Sequence, residues 1–199
     1  MATASQKSTR ILDEHIRSAL LSRLHAEHSH DSDVRIIEEL GVCQGSSRVD
    51  VALVNGSIHG FEIKSASDDL SRLPTQIDLY GRVFDTVTVV VSPCHLRDAR
   101  AIIPKWWGIS IAQESSEELS LRTIRKPKKN PQKDAFYLAQ LLWKDEALDV
   151  LRQVGQCKGL VSKPREVIWK KISEVLSLKE VSEVVRKQLK TRPHWRAAQ

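Results

Sequence analysis

Cysteine is scarce in this sequence, and its placement suggests neither cross-links nor a metal site. Cys43, Cys94 and Cys157 lie far apart and form no CxxC pair. This spacing argues against the disulfide framework of a secreted protein and against a zinc site built on paired thiolates. A chain that needs neither disulfides nor a zinc site is typical of a reducing compartment, and we expect a cytoplasmic protein.

Long apolar runs are also missing. No stretch approaches the roughly 20 apolar residues that span a bilayer, so no membrane association is expected. The N-terminal segment MATASQKSTR lacks the apolar centre of a signal peptide. With 199 residues, of which 41% are hydrophobic, the chain is long enough to bury a substantial core.

Charge is present in abundance but is unevenly distributed. Residues 1–120 carry 12 Lys and Arg against 17 Asp and Glu, whereas residues 151–199 carry 12 against 4. The acidic part suggests a site that gathers carboxylates, and the basic part suggests a surface that attracts a polyanion. A basic helical surface that is merely solvated is the alternative.

Hydrophobic periodicity predicts an α/β fold with helices on both faces of a sheet. Helices are expected at 11–28, 34–40, 70–84 and 95–103, and strands at 48–54, 58–65, 86–92, 108–114 and 119–125. The segment 124–133, IRKPKKNPQK, contains two prolines and no apolar period, so it predicts a basic linker. Three further helical patterns then predict a helical subdomain over 134–199.

The most specific motif lies on a predicted hairpin: Asp50, then eleven residues, then Glu62-Ile63-Lys64. A two-residue turn at Asn55-Gly56 would place Asp50 and Glu62 on opposite faces of the sheet. A three-residue loop, 55–57, places them directly opposite each other with Lys64 on the same face, and we predict that register. Val49, Val51, Leu53, Phe61 and Ile63 would then share the apolar face.

Two opposed carboxylates repel each other unless a cation neutralises them, and oxygen ligands suit Mg²⁺ or Mn²⁺. Such an ion would polarise a phosphodiester and lower the pKa of an attacking water, while a lysine offsets developing charge. In this prediction Asp50 and Glu62 are metal ligands, the Ile63 carbonyl is a third, and Lys64 is the catalytic cation.

The motif resembles the D…ExK signature of the PD-(D/E)xK, restriction-endonuclease-like nucleases. The run EELGVCQGSSRVDVALVNGSIHGFEIKSASDDLSRLPTQIDLYGRVFDTVTVVV resembles a family of short bacterial members, the sce family. The resemblance implies an αβββαβ core within residues 1–123, a divalent metal and nucleic acid cleavage. Val49 stands where the superfamily's name has proline.

Family members often add an acid from the preceding helix, and here the candidates are Glu38 and Glu39, of which we prefer Glu39. The helix after the ExK strand commonly supplies polar groups. Arg72, Gln76 and Tyr80 recur every four residues there. We expect Gln76 to assist catalysis, Tyr80 to bond a ligand carboxylate, the backbone or nucleic acid, and Arg72 to hold a phosphate.

The basic tail is expected to bind phosphates without sequence preference. Its main candidates are Lys170, Lys171, Arg186, Lys187 and Lys190. Trp169 and Trp195 could stack on bases, although core packing is favoured for Trp169.

The sequence therefore predicts a Mg²⁺-dependent DNA endonuclease of bacterial repair, mobile-element or defence systems. RNA as a substrate stays open. The alternatives are a DNA-binding module without turnover, and a nuclease directed to a protein partner by its C-terminal helices. A homodimer is a further possibility, because a double-strand cut in one event usually needs two sites.

Overall fold

The computed structural model describes residues 12–114 and 119–193. Six strands form one mixed sheet in the order β1-β2-β3-β4-β5-β6, in which β3, β4 and β5 are parallel and the other neighbours are antiparallel. The strands are β1 (Arg35–Val42), β2 (Ser47–Val54), β3 (Ile58–Lys64), β4 (Thr86–Val91), β5 (Gly108–Glu114) and β6 (Leu119–Arg125). The predicted α/β class is confirmed.

Helices cover both faces of this sheet. They are α1 (Asp13–Glu27), α2 (Leu73–Val83), α3 (Leu96–Ile102), α4 (Ala135–Ala139), α5 (Lys144–Gln153), α6 (Arg165–Val175) and α7 (Leu178–Thr191). One face packs on α1 in a small apolar cluster. The other face packs on α2 and α4 to α7 in the larger one.

The predicted helix at 34–40 is wrong, because this segment is strand β1. A short run that includes Ile36, Ile37 and Leu40 fits a helix or a strand by periodicity alone. Pairing decides the outcome: Ile37 lies opposite Ala52 and Leu40 opposite Val49. Cross-strand packing here overrides the helical preference of two glutamates.

The hairpin register predicted from the motif is confirmed. Val51 pairs with Phe61 and Ala52 with Gly60, so the loop has three residues. The side chains of Val51, Leu53, Phe61 and Ile63 share the small apolar cluster with α1 as expected. Val49 was predicted on that face but packs in the larger cluster, where Leu40, its partner on β1, also lies.

The segment between β6 and α4 is docked on the end of α2. The side chain of Asn130 is buried, and its Nδ2 donates to the carbonyls of Gly81 (2.6 Å) and Phe84 (2.7 Å), which ends α2. Lys133 Nζ lies 2.7 Å from Asp85 Oδ1. These contacts join the C-terminal helices to the sheet. Residues of the C-terminal helices and of the sheet also pack together in the larger apolar cluster.

No helix in the described part of the chain is long and apolar enough to cross a membrane.

Candidate functional site

The predicted pair Asp50 and Glu62 lies on adjacent strands, and the backbone of β3 holds Asp50 in place. Asp50 Oδ2 accepts a hydrogen bond from the Ile63 amide at 2.6 Å. The paired stretch of β2 and β3 ends at Val51 and Phe61, so Asp50 and Glu62 are the next residue on each strand beyond the last pair. The side chain of Glu62 is only 3% exposed, so this carboxylate needs partners inside the protein.

Those partners are the polar residues that the sequence singled out. Lys64 Nζ lies 2.9 Å from Glu62 Oε1, and Gln76 Nε2 donates to the same oxygen at 2.6 Å. Residues two apart on a strand share a face, and residues four apart on a helix share a stripe. These two periodicities bring Lys64 from β3 and Gln76 and Tyr80 from α2 to one carboxylate.

Tyr80 is fully buried, so it does not contact a bound nucleic acid, and that part of its predicted role is corrected. Its hydroxyl lies 2.8 Å from Glu62 Oε2 and 2.8 Å from the Arg48 carbonyl, and its single proton serves one of them at a time. Burial raises the pKa of Tyr80, and the charge of Glu62 raises it further. The alternative expectation, a bond to a site carboxylate or to the backbone, describes this geometry.

Arg17 of α1 completes the cluster, and sequence reasoning missed it. Its Nη1 donates to the Asp50 carbonyl and its Nη2 to Asp50 Oδ1, both at 3.0 Å, while Nη1 also lies 2.9 Å from Glu39 Oε1. Arg48 binds the other oxygen of Glu39 at 2.5 Å. The available signal was the position of Arg17 directly after Ile16, a buried residue of α1, at the border of the buried face.

Glu39, the predicted helix acid, stands instead on β1, between Glu38 and Leu40, whose partners on β2 are Val51 and Val49. Its backbone has φ 57°, a left-handed conformation that is costly for a residue with a side chain. This local distortion accompanies the ion pairs with Arg17 and Arg48. Within the described residues Glu38 makes no ion pair or side-chain hydrogen bond, whereas Glu39 lies beside the cluster, which agrees with the preference for Glu39.

Asp50 holds its proton more strongly than an exposed aspartate does. Burial raises the pKa of Asp50 to about 7, and the charge of Glu62 adds to the shift. The Ile63 amide and Arg17 act in the opposite direction. A positive charge brought close to Asp50 would therefore be bound in exchange for a proton.

The donors available to a cation are few. No group of three or more His, Cys, Asp or Glu able to hold a metal occurs in the described ranges. Asp50, Glu62 and the amide oxygen of Gln76 are the nearest equivalent, since Gln76 Oε1 is buried without a hydrogen-bond partner there. Three oxygen atoms of this kind suit a hard divalent ion.

The side chains of the predicted phosphate-binding residues make no ion pair or hydrogen bond with this cluster in the described part of the chain. Lys170 and Lys187 are exposed, Lys171 and Arg186 are half-buried, and Arg72 is exposed at the start of α2. Lys190 Nζ lies 2.6 Å from Asp33 Oδ1, so it already has an anionic partner. Trp169 is buried and its Nε1 donates to the Leu142 carbonyl at 3.1 Å, which confirms core packing. Trp195 lies outside the described residues.

Fold and site together define an α/β protein with a mixed six-stranded sheet and a buried ionic cluster at its β2-β3 hairpin. The model of the bacteriophage P4 protein cII family matches residues 6–198, nearly the whole chain. The chain belongs to this family. It is 30% identical to "Protein cII" of Enterobacteria phage P4 over 184 residues, which cover 92% of this chain and 68% of the phage protein.

Among solved structures, the chain is similar to the SPO1766 protein of unknown function from Silicibacter pomeroyi. That similarity has 17% sequence identity and a TM-score of 0.43, and it covers 81% of this chain and 98% of the other.

The family assignment overturns the nuclease prediction. A match to the P4 protein cII family over residues 6–198 replaces the predicted membership in the PD-(D/E)xK superfamily and its sce family. The predicted endonuclease activity and the classification as a hydrolase were inferred from that resemblance and are corrected with it. The D…ExK spacing was too short a motif to carry the assignment.

Proposed function

We propose that this protein binds DNA through a basic surface on its C-terminal helices. The observation that carries the proposal is a set of cations on α6 and α7 that have no ion-pair partner in the described part of the chain. They are Lys170, Lys171, Arg186 and Lys187.

Unpaired cations are the groups that phosphate binding requires. Each Lys or Arg that neutralises a phosphate releases condensed counterions, which favours binding at low salt. A surface of paired charges gains less, because the phosphate must compete with the protein's own carboxylates. Lys190, which pairs with Asp33, is therefore expected to contribute less than Lys187 one turn earlier.

The fold proposed for this function is the restriction-endonuclease-like core. The chain order strand-strand-strand-helix-strand, preceded by α1, supports this relationship because it follows the αβββαβ pattern. The relationship concerns the backbone alone. Fold does not determine activity, and the proposal assigns DNA binding without cleavage.

The proposal is tested by fluorescence anisotropy with a labelled 30-base-pair duplex. The variant Lys170→Gln/Lys187→Gln is compared with Arg97→Gln/Lys105→Gln, which removes the same charge at exposed positions outside the C-terminal helices. We expect weaker binding in the first variant and near wild-type binding in the second. An equal loss of DNA affinity in the two variants would mean that net charge alone, and not the C-terminal surface, determines binding. Shortened DNA on a gel would contradict binding without cleavage.

A divalent cation at the ionic cluster is the second proposal. The observation that favours it is the unpartnered Oε1 of Gln76 beside Glu62 and Asp50. Burial raises the pKa of Asp50 and the charge of Glu62 raises it further, and Mg²⁺ or Mn²⁺ would offset that charge repulsion. The Ile63 carbonyl, which the sequence also suggested as a ligand, belongs to this proposal.

The cation is tested by thermal unfolding in EDTA and in millimolar MgCl₂ or MnCl₂. A ligand that binds only the folded state raises the Tm. We expect this rise in the wild type and its loss in Asp50→Asn, whereas Asp69→Asn, at an exposed turn, keeps it. An equal rise in all three proteins would assign the effect to ionic strength.

The predicted homodimer and the docking of a partner protein on the C-terminal helices stay predictions. Sedimentation of the free protein and of the DNA complex would measure both stoichiometries.

A further inference from the structure

The β2-β3 turn, the segment before α4 and the first turns of α7 enclose a cleft of about 640 Å³. Its lining includes four cations, Lys129, Lys133, Lys179 and Arg186. Among its described lining residues, Asp85 is the one carboxylate. A concave surface with this excess of positive charge concentrates anions.

The negative charge of Asp85 in the cleft is already balanced by contacts within the protein. Asp85 Oδ2 accepts from the Ile58 amide at 2.8 Å, and Asp85 Oδ1 lies 2.7 Å from Lys133 Nζ. Lys133 also donates to Ser182 Oγ at 3.0 Å, and its side chain is only 8% exposed. Lys133 and Asp85 therefore form an ion pair of little net charge. The positive charges of Lys129, Lys179 and Arg186 are not balanced by a carboxylate of the described lining.

Arg186 is the unexplained member of the set. It is half-buried, yet its guanidinium makes no hydrogen bond or ion pair anywhere in the described ranges. Withdrawing a guanidinium partly from water without a partner is unfavourable, and a bidentate phosphate contact would offset that cost. Lys129 and Lys179 are exposed at the rim and form no ion pair with any residue that the structure describes.

The N-terminal end of α7 adds positive electrostatic potential to the cleft. Leu178 and Lys179, the first two residues of this 14-residue helix, line the cleft. The amides of Leu178 and Lys179, like those at the start of any helix, have no intrahelical partner, whereas the Glu180 amide donates to Ser177 Oγ. The Glu180 carboxylate accepts from the amide and hydroxyl of Ser177 at the same helix end. The positive end of a helix dipole favours an anion at this place.

We propose that this cleft is a phosphate-binding site that takes one backbone phosphate of the bound DNA, with Arg186 as its principal ligand. The inference rests on the proposed DNA binding and deepens it, because it names one anchoring point on the basic surface. Lys129 and Lys179 hold the phosphate from the rim, and Lys133 is a positioning residue that keeps Asp85 neutralised.

The test measures DNA affinity by anisotropy at several NaCl concentrations for three proteins. They are the wild type, Arg186→Gln, and Lys170→Gln, which changes one exposed cation on α6. We expect Arg186→Gln to weaken binding several-fold and to lower the slope of log affinity against log salt by about 1, as the loss of one phosphate contact does. We expect a smaller loss in Lys170→Gln.

A second arm separates failure of the cleft from failure of DNA binding. Inorganic tripolyphosphate is titrated calorimetrically into the wild type and Arg186→Gln. Binding that is lost in the variant supports the cleft even if the wild type fails to bind DNA. If the wild type binds DNA and Arg186→Gln binds it with unchanged affinity and slope, the cleft proposal is overturned and DNA binding stands. If the two proteins bind tripolyphosphate equally, or neither binds it, the cleft is likewise not a phosphate site.

Discussion

Arg17 of α1 holds Asp50 of β2 at two points, the carbonyl and the carboxylate, each at 3.0 Å. The side chains of both residues are about one fifth exposed. This contact ties the N-terminal helix to the hairpin that carries the ionic cluster. Arg17 therefore belongs to the site as much as the motif residues do.

Replacement of Arg17 by Gln should destabilise the protein. It leaves Asp50 and Glu39 with less compensation, and after allowance for partial exposure we expect a loss of about 1–3 kcal/mol. Urea unfolding measures it. Arg152→Gln is the control, because Arg152 and Asp149 form a pair that is more than half exposed and should contribute less than about 0.5 kcal/mol. Equal losses of unfolding free energy in the two variants would contradict a stabilising role of Arg17 at Asp50 and Glu39.

His59 should make stability depend on pH in the acidic range. Burial lowers the pKa of His59 to about 4, and the charge of Arg23 acts in the same direction. Because the unfolded chain takes up this proton near pH 6.5 and the folded protein does not, stability falls as pH drops from about 6.5 to 4. Over that window the stability of the wild type relative to His59→Gln should decline. A constant difference between the two unfolding free energies would contradict the shift. The Asp50 contribution has the opposite sign and is common to both proteins.

Gly108 should resist substitution at the start of β5. A Cβ there would lie 2.6 Å from Thr88 Oγ1 and 2.9 Å from Pro127 Cδ. Since Pro127 is fixed to the backbone, Gly108→Ala should cost about 2–3 kcal/mol. Gly56→Ala is the control, because a Cβ at Gly56 meets no atom within 4 Å and should change stability by less than about 0.5 kcal/mol. Thermal unfolding of both variants measures the two changes in stability, and an equal Tm for the two variants would contradict the prediction.

The cysteines should react with a thiol reagent at very different rates. Cys94 is exposed, whereas Cys43 is buried and burial raises its pKa to about 11. A thiolate is the reactive species, so Cys43 should react only when the protein unfolds. The time course of modification by a chromogenic disulfide is measured in Cys157→Ser and in Cys94→Ser/Cys157→Ser, so that the partly exposed Cys157 does not contribute. A fast phase that persists unchanged in the double variant would contradict the prediction, and urea should accelerate the modification of Cys43.

Much of the fold could be predicted because its elements have clear local patterns. The alternation in RVDVALV and IHGFEIKS and the burial of TVTVVV define strands wherever they pair. The segment 34–40 could not be assigned in this way, since its apolar spacing fits two structures and a partner strand decides between them. Side-chain periodicity also placed Lys64 on the same face as Glu62, and Gln76 and Tyr80 on one stripe of the following helix.

Arg17 lay beyond such reasoning because no local pattern connects it to a strand 33 residues away. The cleft beside Arg186 was inaccessible for the same reason, since it joins a turn, an irregular segment and a helix end. Activity was the largest error. A short acidic motif on a hairpin describes a geometry, whereas the family assignment rests on the match over residues 6–198.

The proposed DNA binding depends on cations that neutralise phosphates. It is tested by the affinity of the wild type for a labelled duplex between 50 and 300 mM NaCl, in EDTA and in MgCl₂, with the DNA inspected afterwards on a gel. We expect binding at low salt, a linear fall of log affinity with log salt whose slope corresponds to several phosphates, and DNA of unchanged length. Absence of binding at the lowest salt, or shortened DNA, would contradict it.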